Sequence, residues 1–528
     1  MIQGRQIIGF DYSADGDETF YSYNPAEQHN TNYLFHKATT GEINLAVDKA
    51  AAAFQIYRKK TGAEKAVFLT MLADELSNTG DELIKVCCEE TGLPPIRIEG
   101  ERMRTVNQVK MFAALLSEGS WVDARIDTGN PERTPLPKPD IRSMQIPLGP
   151  VVVFGASNFP LAFSVAGGDT ISAFAAGCPV VVKAHPAHPA TSAIIGKLIQ
   201  TAAQKMNMPD GLFSLLFDNG INAGVHLVKH PGIKAVAFTG SYKAGKALFD
   251  IAVSRREPIP VYAEMGSTNP VFILPEAAKQ RGQEIAAAYA ASVTMGIGQF
   301  CTNPGLMIYQ KQDDHFLQLL KTAFEKTTGG VMLTPKILDS YNSGVHQHLS
   351  TDGVEQLAVS KSSAGNSTNI AVPVLLQTSG QVINSNPVLS EEVFGPTGMA
   401  VLANSKKEML EIAENLSGHL TATVHGTEEE LIGYQQLLDV LEQKAGRVVI
   451  NGFPTGVEVG NAMVHGGPYP STTDSRTTSV GTASIYRFTR PVCYQNTPQQ
   501  LLPRALQNKN VLKIHRLING EWSTKDIS

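Results

Sequence analysis

The 528-residue sequence has few cysteines, little excess of either charge and no long apolar run. No stretch approaches the roughly 20 apolar residues that cross a bilayer, and residues 1–10 lack the apolar core of a signal peptide. With a formal net charge of −5, the chain has no basic excess for nucleic acid or an anionic membrane. We therefore expect a cytoplasmic protein whose partner is a small molecule, with neither nucleic acid nor membrane as a partner.

The five cysteines exclude two common uses of this residue. They are odd in number, and none belongs to a Cys-x-x-Cys motif or to the Cys/His spacing of a metal site. This argues against a disulfide framework and against zinc. We expect free thiols in a reducing compartment and no metal ion. The cysteines are Cys87, Cys88, Cys178, Cys301 and Cys493.

One cysteine lies in a distinctive loop, GIGQFCTNPG at residues 296–305, which follows an apolar segment at 284–295. The glycines allow backbone conformations that bring main-chain N–H groups close to a ligand, and the neighbours of Cys301 are small or polar. A lone cysteine is more commonly a small buried hydrophobe. On this loop alone, packing is the favoured interpretation.

The middle of the chain alternates short apolar strands with helices. Strands are predicted at 151–154, 180–183, 213–217, 235–238 and 260–264, and helices after Pro160, His188 and Ser241. This alternation indicates a parallel, doubly wound sheet with both faces covered. Such sheets bind ligands at the carboxyl ends of their strands. Asn158, Lys183, Ser241 and Glu264 all fall at or just beyond such an end.

Other segments differ in character. Residues 43–57 and 67–76 have the apolar spacing of amphipathic helices. Residues 121–149 carry five prolines and read as an extended arm. A second α/β pattern starts beyond Asn269 and continues to about residue 479, with glycine-rich loops at 451–467, and an extended run follows at 482–496. Its extended form would suit exchange with a neighbouring subunit.

Three arginines, Arg97, Arg102 and Arg104, lie within a few residues of each other on a predicted helix. Three guanidinium groups at this spacing usually form a solvated helix face. One of them can instead bind a substrate carboxylate through a pair of hydrogen bonds. The residues alone leave both interpretations open.

Four further motifs surround the cysteine loop: FGASNFPL at 154–161, FTGS at 238–241, EMGS at 264–267 and EEVFGP at 391–396. Their order and spacing resemble the aldehyde dehydrogenase superfamily across nearly the whole chain. ETGLP at 90–94, GERMRT at 100–105, AHPAHP at 184–189 and RLING at 516–520 resemble the branch that oxidises 2-oxoglutarate semialdehyde (2,5-dioxopentanoate). A bacterial NADP-linked fatty aldehyde dehydrogenase is a close relative of that branch.

The resemblance implies an enzyme that oxidises an aldehyde to a carboxylic acid with NAD(P), through a thioester on a cysteine. It implies a Rossmann-like cofactor domain, a second α/β catalytic domain and an extended β arm for oligomerisation, in a homodimer or homotetramer. The cofactor domain takes 1–120 as its helical part and 150–268 as its sheet. The arm takes 121–149, the catalytic domain 269–480, and an oligomerisation strand with a C-terminal tail 481–528.

The same resemblance assigns the catalytic roles. Cys301 is the nucleophile, and the side-chain amide of Asn158 with the backbone N–H of Cys301 forms the oxyanion hole. Without the other motifs, Asn158 reads as a cap of the turn before Pro160. Glu264 is the base that activates water, and we expect burial to raise its pKa. Gly266 and Ser267 stand where many other members of the superfamily have a Gly-Gly pair.

The nucleotide site has no Gly-x-Gly-x-x-Gly motif. Gly240, Ser241 and Gly245 instead open a helix, whose N-terminus can accept a pyrophosphate, although any capped helix start looks the same. By resemblance, Lys183 contacts the adenosine ribose or its phosphate, and Glu392 holds the nicotinamide ribose. Phe154 and Phe394 also belong to this cofactor site, and Arg104 is assigned to the substrate.

The choice between NADP and NAD depends on the residue three positions after Lys183. NAD-selective members commonly have a glutamate there, which repels a 2′-phosphate. Here it is Pro186, and Lys183 with a protonated His185 would add positive potential. We therefore expect NADP to be preferred and NAD to be accepted.

Two alternatives to a hydrolytic aldehyde dehydrogenase remain. In a CoA-acylating relative, CoA replaces water, and the retained Glu264 favours water. A catalytically idle homologue, kept as a structural or binding protein, would be expected to have lost Cys301, Glu264 or Asn158. This sequence keeps all three.

Overall fold

The computed structural model describes residues 2–310, 315–363 and 367–527. Its strands are β1 Gln6–Ile8, β2 Asp11–Ser13, β3 Thr19–Asn24, β4 His29–His36, β5 Arg125–Asp127, β6 Ile141–Pro147, β7 Val151–Phe154, β8 Val180–Lys183, β9 Phe213–Leu216, β10 Ala235–Thr239, β11 Val261–Glu264, β12 Val271–Ile273, β13 Leu306–Gln310, β14 Thr328–Val331, β15 Glu355–Val359, β16 Ser362–Ser363, β17 Ile370–Ala371, β18 Val374–Ser379, β19 Thr397–Ala403, β20 His419–His425, β21 Ala445–Ile450, β22 Thr489–Gln495, β23 Arg516–Ile518 and β24 Glu521–Ser523.

The helices are α1 Thr40–Tyr57, α2 Gly62–Ser77, α3 Asp81–Thr91, α4 Pro95–Glu118, α5 Gly168–Ala176, α6 Pro189–Lys205, α7 Asn222–Lys229, α8 Tyr242–Val253, α9 Pro275–Thr294, α10 His315–Glu325, α11 Pro335–Leu349, α12 Gly380–Ser385, α13 Lys406–Asn415, α14 Glu428–Gly433 and α15 Gln435–Lys444. Among the described residues, none of these helices is both long enough and apolar enough to cross a membrane.

The first sheet has seven strands in the order β11-β10-β7-β8-β9-β1-β2, and β7 to β11 are parallel. Side chains alternate between its two faces, because successive residues of a strand point in opposite directions. Val151 and Val153 of β7 pack on the side of α2, α4, α5 and α6. Val152 packs on the side of α1, α7 and α8. The predicted doubly wound sheet is therefore present, with strand bounds within one residue of those expected.

One expectation for this part of the chain is wrong, and one helix starts later than expected. Residues 1–120 were expected to be helical, but β1 and β2 extend the first sheet, and β3 and β4 form a two-stranded sheet. These strands are short and of mixed polarity, so they lack a strong apolar period. The helix expected after Pro160 begins only at Gly168, because residues 155–167 form turns that β7 delivers to the site.

The second sheet also has seven strands, in the order β15-β18-β19-β13-β12-β20-β21. Its strands are parallel except for β15, which pairs antiparallel with β18. Helix α9 packs on one face through Ile285, Tyr289 and Val293. The cysteine loop follows α9 directly and leads into β13, the central strand of the sheet.

The arm is a five-stranded sheet in the order β22-β6-β5-β23-β24. Strand β22 pairs antiparallel with β6, from Thr489 opposite Pro147 to Gln495 opposite Ile141. The extended run expected at 482–496 is wrong in its first half, which is a 3₁₀ helix at Thr482–Phe488. Ile485 and Phe488 are buried in the core of the first sheet, which an extended exposed strand would not allow. The role of this arm in oligomerisation stays a prediction.

Candidate active site

The carboxyl ends of four neighbouring strands lie at one edge of the first sheet. Phe154 at the end of β7 is paired with Lys183 of β8 and with Phe238 of β10. Thr239 is in turn paired with Glu264, the last residue of β11. The expectation that the polar site residues follow neighbouring strand ends is therefore correct for Lys183 and Glu264, and Asn158 lies in the turns just beyond β7.

The cysteine loop has an unusual backbone. Gly296, Ile297 and Gly298 all have positive φ angles, whereas Gly305 does not. A Cβ at Gly298 would overlap the carbonyl group of Gly395, so this position needs glycine for both its conformation and its close contact.

Buried Asn269 holds the other half of this loop. Its Nδ2 donates to the carbonyl oxygens of Cys301 and Asn303, each at 2.9 Å. Asn269 lies between β11 and β12, and so it ties the reactive loop to the junction of the two sheets. The backbone at Cys301 is thereby fixed before any ligand binds.

The structure brings a histidine between the two residues that were expected to react. His465 Nε2 lies 3.4 Å from Cys301 Sγ and 2.9 Å from Glu264 Oε1. This oxygen of Glu264 has no hydrogen-bond partner among the described residues, and the two groups form an ion pair when the imidazole is protonated. Ser479 Oγ donates to the other carboxylate oxygen of Glu264 at 2.6 Å. His465 and Glu264 are buried, and Cys301 is half-buried.

The charges in this cluster set the protonation of Cys301. Burial raises the pKa of the Cys301 thiol well above its usual value, and the charges of Glu264 and Glu392 raise it further against the opposing charge of Arg104. Cys301 therefore rests as a thiol and needs a proton acceptor before it can attack. His465 is in contact with it.

The pKa of Glu264 differs from the expectation. Burial raises it, as predicted, but the interaction with His465 and the hydrogen bond from Ser479 outweigh burial, so the pKa of Glu264 is lowered. The expected net rise of the Glu264 pKa is wrong, because the contact between Glu264 and His465 could not be predicted from the sequence. Glu264 rests as a carboxylate that can accept a proton.

Asn158 lies beside the cysteine loop. Its Nδ2 donates to the carbonyl oxygen of Gln299 at 2.9 Å, two residues before Cys301. A side-chain amide has two N–H bonds, so this contact orients the group and leaves a second N–H for an oxyanion.

Helix α4 presents a charged face to these turns. Residues 97, 101 and 104 are spaced three or four apart and so share one side of the helix. Arg97 forms an ion pair with the fully buried carboxylate of Glu101, and its guanidinium lies 4.5 Å from the ring centre of Phe159. Glu101 Oε1 also accepts the backbone N–H groups of Leu161 and Ala162, both at 2.9 Å. The turns that carry Asn158 are therefore held from α4.

Arg104 completes this face. It lies over the ring of Phe163 at 5.2 Å, and its Nη2 donates to the carbonyl oxygen of Val457 at 3.3 Å. Its Nη1 is buried and has no partner among the described residues. The interpretation of the three arginines as a solvated face is thus wrong for Arg97 and Arg104. Arg102 faces away and donates to Thr79.

The glycine-rich loops at 451–467 do lie at the site, as expected. Arg447 on β21 donates to the carbonyl oxygens of Pro454 and Gly456. Thr302, next to Cys301, donates to the carbonyl oxygen of Thr455 at 3.0 Å. The loop therefore joins the cysteine loop to Val457, the partner of Arg104.

The residues expected to bind the nucleotide fit an anionic ligand. Lys183 is only 9% exposed and forms no salt bridge within the described part of the chain. Burial lowers the pKa of Lys183 to about 8, and such an unpaired buried cation is stabilised by an incoming phosphate or by hydroxyl oxygens. Ser241 caps α8, whose exposed first turn offers free N–H groups to a pyrophosphate.

Close packing explains why glycine is found at positions 240 and 245, at the start of α8. A Cβ at Gly240 would lie 2.7 Å from the ring of Phe238, and one at Gly245 would lie 2.8 Å from Met265. The start of α8 therefore packs closely against the ends of β10 and β11. Phe154 and Phe238 have ring centres 6.3 Å apart on the same face of the sheet.

Glu392 and Phe394 are half-buried and line one pocket with Ser267 and Gly298. Burial and the charge of Glu264 raise the pKa of Glu392 to about 7 against a hydrogen bond from the backbone of Ser267. This carboxyl can thus hold a ribose hydroxyl either as donor or as acceptor.

The contacts of Gly266 and Ser267 explain why these two residue types occupy the positions. A Cβ at Gly266 would collide with the Glu392 carboxylate. The Ser267 hydroxyl donates to Asn269 Oδ1 and accepts from the backbone of Leu420, each at 3.0 Å. Serine at this position therefore supports the junction between the two sheets.

One electrostatic expectation at the nucleotide site is wrong. Burial lowers the pKa of His185 well below its usual value, and the charges of His188 and Lys183 act in the same direction. His185 is therefore neutral, and Lys183 alone supplies positive charge among these three residues.

The sequence profile of the aldehyde dehydrogenase family matches residues 12–491. The chain belongs to the aldehyde dehydrogenase family. The predicted membership and the predicted enzyme class, an NAD(P)-dependent aldehyde dehydrogenase, are confirmed.

Two relatives of this aldehyde dehydrogenase match nearly end to end. An α-ketoglutaric semialdehyde dehydrogenase from Acinetobacter baylyi is 46% identical over 520 residues, covering 98% of each chain. An α-ketoglutaric semialdehyde dehydrogenase 2 from Azospirillum brasilense is 45% identical over 524 residues, covering 99% of each chain.

Solved aldehyde dehydrogenases share the fold. A betaine aldehyde dehydrogenase variant from Staphylococcus aureus, in complex with NAD⁺, superposes with a TM-score of 0.80 at 19% identity, covering 95% of this chain and 97% of that one. The aldehyde dehydrogenase KauB from Pseudomonas aeruginosa gives 0.80 at 20% identity, covering 94% and 97%. The predicted Rossmann-like α/β fold class is confirmed.

Sequence reasoning missed three residues of this aldehyde dehydrogenase site: His465, Asn269 and Glu101. His465 lies in a glycine-rich loop that was expected near the site, and a histidine in such a loop was the available signal. Glu101 was inside a motif that carried the resemblance, and its spacing from Arg97 and Arg104 indicated a common face. Asn269 had no sequence signal, because its importance comes from two carbonyl groups in a distant loop.

We predict that Glu101 positions the turns that carry Asn158. Glu101→Ala leaves two buried N–H groups and Arg97 without a partner, which should cost on the order of 3–5 kcal/mol of unfolding free energy. Glu101→Gln keeps an oxygen for both N–H groups and should lose less. The measurements are chemical denaturation and steady-state kinetics.

A double-mutant cycle separates positioning from stability alone. If Glu101 acts through Asn158, Glu101→Gln should lower kcat several-fold in the wild type but little in an Asn158→Ala background. Equal losses of kcat in both backgrounds would contradict the positioning role.

Proposed function

We propose that this enzyme oxidises 2-oxoglutarate semialdehyde to 2-oxoglutarate, with NADP as the preferred cofactor. The observation that carries the substrate assignment is Arg104, whose buried Nη1 finds no partner within the residues that the structure describes and whose charge acts on Cys301. An aldehyde bound at Cys301 with a carboxylate at its far end would supply that partner. The names of the two relatives at 45–46% identity support the same substrate.

Arg104 also bears on the fatty aldehyde alternative. A long alkyl chain would leave the guanidinium N–H buried and unpaired, which costs free energy. A short aldehyde with a distal carboxylate is therefore the better fit.

In the proposed mechanism, His465 in its neutral form takes the proton of the Cys301 thiol, since its Nε2 lies 3.4 Å from the sulfur. The imidazolium that forms is stabilised by the Glu264 carboxylate, 2.9 Å away. The thiolate then adds to the aldehyde carbon. The Asn158 amide and the backbone N–H of Cys301 stabilise the oxyanion. A nicotinamide cofactor held by Glu392 and Phe394 would supply the hydride acceptor that the oxidation requires.

The acyl group then remains on Cys301 as a thioester. We assign the next step to Glu264, which rests as a carboxylate and can take a proton from water as it attacks the thioester. The sulfur leaves as thiolate and recovers its proton, and the acid is released. The retention of Glu264 favours this hydrolytic route over transfer to CoA, and the presence of Cys301, Glu264 and Asn158 together speaks against an idle homologue.

The cofactor site of this proposal consists of Lys183 for the adenosine ribose or its phosphate, the start of α8 for the pyrophosphate, and Glu392 with Phe394 for the nicotinamide ribose.

We assign cofactor binding to 1–120 and 150–268, catalysis to 269–480, and oligomerisation to 121–149 and 481–528. In the described part of the chain, strand β22 lies at the edge of its sheet, and such an edge can pair with a neighbouring subunit in a homodimer or homotetramer. A reducing compartment such as the cytoplasm suits a thiol nucleophile.

The order of steps predicts different defects for the two catalytic side chains. Glu264→Gln should still give a burst of reduced cofactor close to one equivalent per site, followed by slow turnover, because thioester formation does not use Glu264. Stopped-flow absorbance of the reduced cofactor measures this. Cys301→Ala should give no burst, and a Glu264→Gln enzyme with no burst but normal thioester hydrolysis would contradict the assignment.

Arg104 predicts selectivity for a distal carboxylate. Arg104→Met keeps the length of the side chain but removes the charge, and should lower kcat/KM for the carboxylated semialdehyde roughly 10- to 100-fold. Activity toward an uncharged aldehyde of the same length should stay equal or rise.

Arg102→Met is the matched control, because Arg102 lies on the same helix and donates to Thr79, away from the site. Equal losses toward both aldehydes in Arg104→Met, or a wild-type preference for long-chain aldehydes, would exclude the carboxylate assignment.

Pro186 predicts the cofactor preference. Proline has no carboxylate to repel a 2′-phosphate, so the wild type should have a higher kcat/KM with NADP than with NAD, and Pro186→Glu should shift the ratio toward NAD. Pro186→Gln controls for loss of the ring without a charge. A wild-type preference for NAD, or no shift in Pro186→Glu, would mean that other residues of the adenosine pocket decide.

A further inference from the structure

The Cys301, His465 and Glu264 side chains form a cluster whose metal-binding chemistry goes beyond aldehyde oxidation. Cys301 Sγ, His465 Nε2 and a carboxylate oxygen of Glu264 all lie within 4.8 Å of one another. Thiolate, imidazole and carboxylate are the three ligand types that zinc uses in proteins. Two of these residues are buried, so the cluster is not a chance group of surface acids.

The spacing agrees with a tetrahedral zinc ion. Bond lengths of about 2.3 Å to sulfur and about 2.0–2.2 Å to nitrogen and oxygen place neighbouring tetrahedral ligand atoms about 3.5 Å apart. The observed distance from Cys301 Sγ to His465 Nε2 is 3.4 Å, and that from His465 Nε2 to Glu264 Oε1 is 2.9 Å. The distance between His465 Nε2 and Glu264 Oε1 has to lengthen by about half an ångström.

The surroundings support the same ion. Ser479 donates to the second oxygen of Glu264, and a ligating carboxylate is commonly oriented by such an outer hydrogen bond. Cys301 is half-buried, so the opening that admits the aldehyde can admit an ion and leave a fourth position for water.

We propose that the catalytic cluster is a preformed Zn²⁺ site, in which Cys301, His465 and Glu264 bind the ion and reversibly inhibit the enzyme. Binding is an exchange of one proton for one ion: the thiol loses its proton to solvent, the thiolate bonds to zinc, and no electron is transferred. Zinc occupies the position where the aldehyde must react, so the two compete whatever the aldehyde. The ligands come from three distant parts of the chain, which is why cysteine and histidine spacing did not reveal them.

Inhibition is tested first on the full-length enzyme with buffered free Zn²⁺ as the probe. Zinc should raise the apparent KM for the aldehyde without changing kcat, and EDTA should restore the activity fully. Inhibition that stays after EDTA, or that competes only with the nicotinamide cofactor, would overturn the proposal.

Cobalt gives a readout that does not depend on activity. Co²⁺ alone, added to the wild type, should give a thiolate-to-cobalt charge-transfer band and the intense visible bands of a four-coordinate ion. Cys301→Ser should abolish the charge-transfer band. Cys493→Ser, which removes an exposed thiol on the arm, should leave it unchanged. A six-coordinate spectrum, or a band that disappears with Cys493 rather than Cys301, would overturn the assignment.

Zinc affinity, measured by competition with a fluorescent chelator, tests the other two ligands. His465→Gln and Glu264→Gln should each weaken binding at least about 10- to 100-fold. Unchanged affinity in both folded variants would mean that Cys301 binds zinc alone, contrary to the proposal. If either variant does not fold, the cobalt spectrum of the wild type still decides between a four-coordinate and a thiol-only site.

Discussion

A carboxylate and an imidazole that lie 2.9 Å apart, away from water, connect the two halves of this molecule. Glu264 is the last residue of the first sheet, whereas His465 comes from a loop after the last strand of the second. Because both side chains are buried, neither could lose the other without leaving a polar group unpaired, which favours the packed arrangement of the two sheets. Cys301 is placed by that arrangement, because its loop is tied through Asn269 to the same junction. The catalytic groups and the packing of the two sheets thus both depend on the contact between Glu264 and His465.

The second support of the site is a single helix face. Three side chains of helix α4 contact different parts of the site. Arg97 lies against the ring of Phe159, Glu101 accepts hydrogen bonds from the backbone of the turns that carry Asn158, and Arg104 donates to the loop at Val457. A helix is a suitable base for these groups because its side-chain directions are fixed by its backbone. The oxyanion donor and the substrate cation therefore keep a constant separation.

Much of the fold could be predicted because buried parallel strands are short apolar runs, and Val151–Phe154 and Val180–Lys183 have no polar interruption before their last residue. The strands near the N-terminus were missed because they are short and half polar, and the 3₁₀ helix at Thr482–Phe488 because an apolar pattern does not say which core it joins. Cys301, Glu264 and Asn158 were recognisable from their motifs. The contacts of His465, and with them the direction of the pKa shift of Glu264, depend on residues that are distant in sequence and meet only in the folded chain.

The place of Arg104 on α4 and its contact with the glycine-rich loops at 451–467 have a consequence for how the substrate range can change. Glu101 and Arg97 hold the catalytic turns from the same face that presents Arg104, so remodelling α4 to admit a bulkier or uncharged aldehyde would disturb the oxyanion donor at the same time. The hydrogen bond between these loops and Arg104 is accepted by the backbone carbonyl of Val457, which is present whatever the side chain at that position. A change of side chain at Val457 therefore keeps this hydrogen bond, whereas Phe453 and Thr455 are constrained by their packing against α9. Position 457 is the place where the loop can vary while the reacting groups keep their positions.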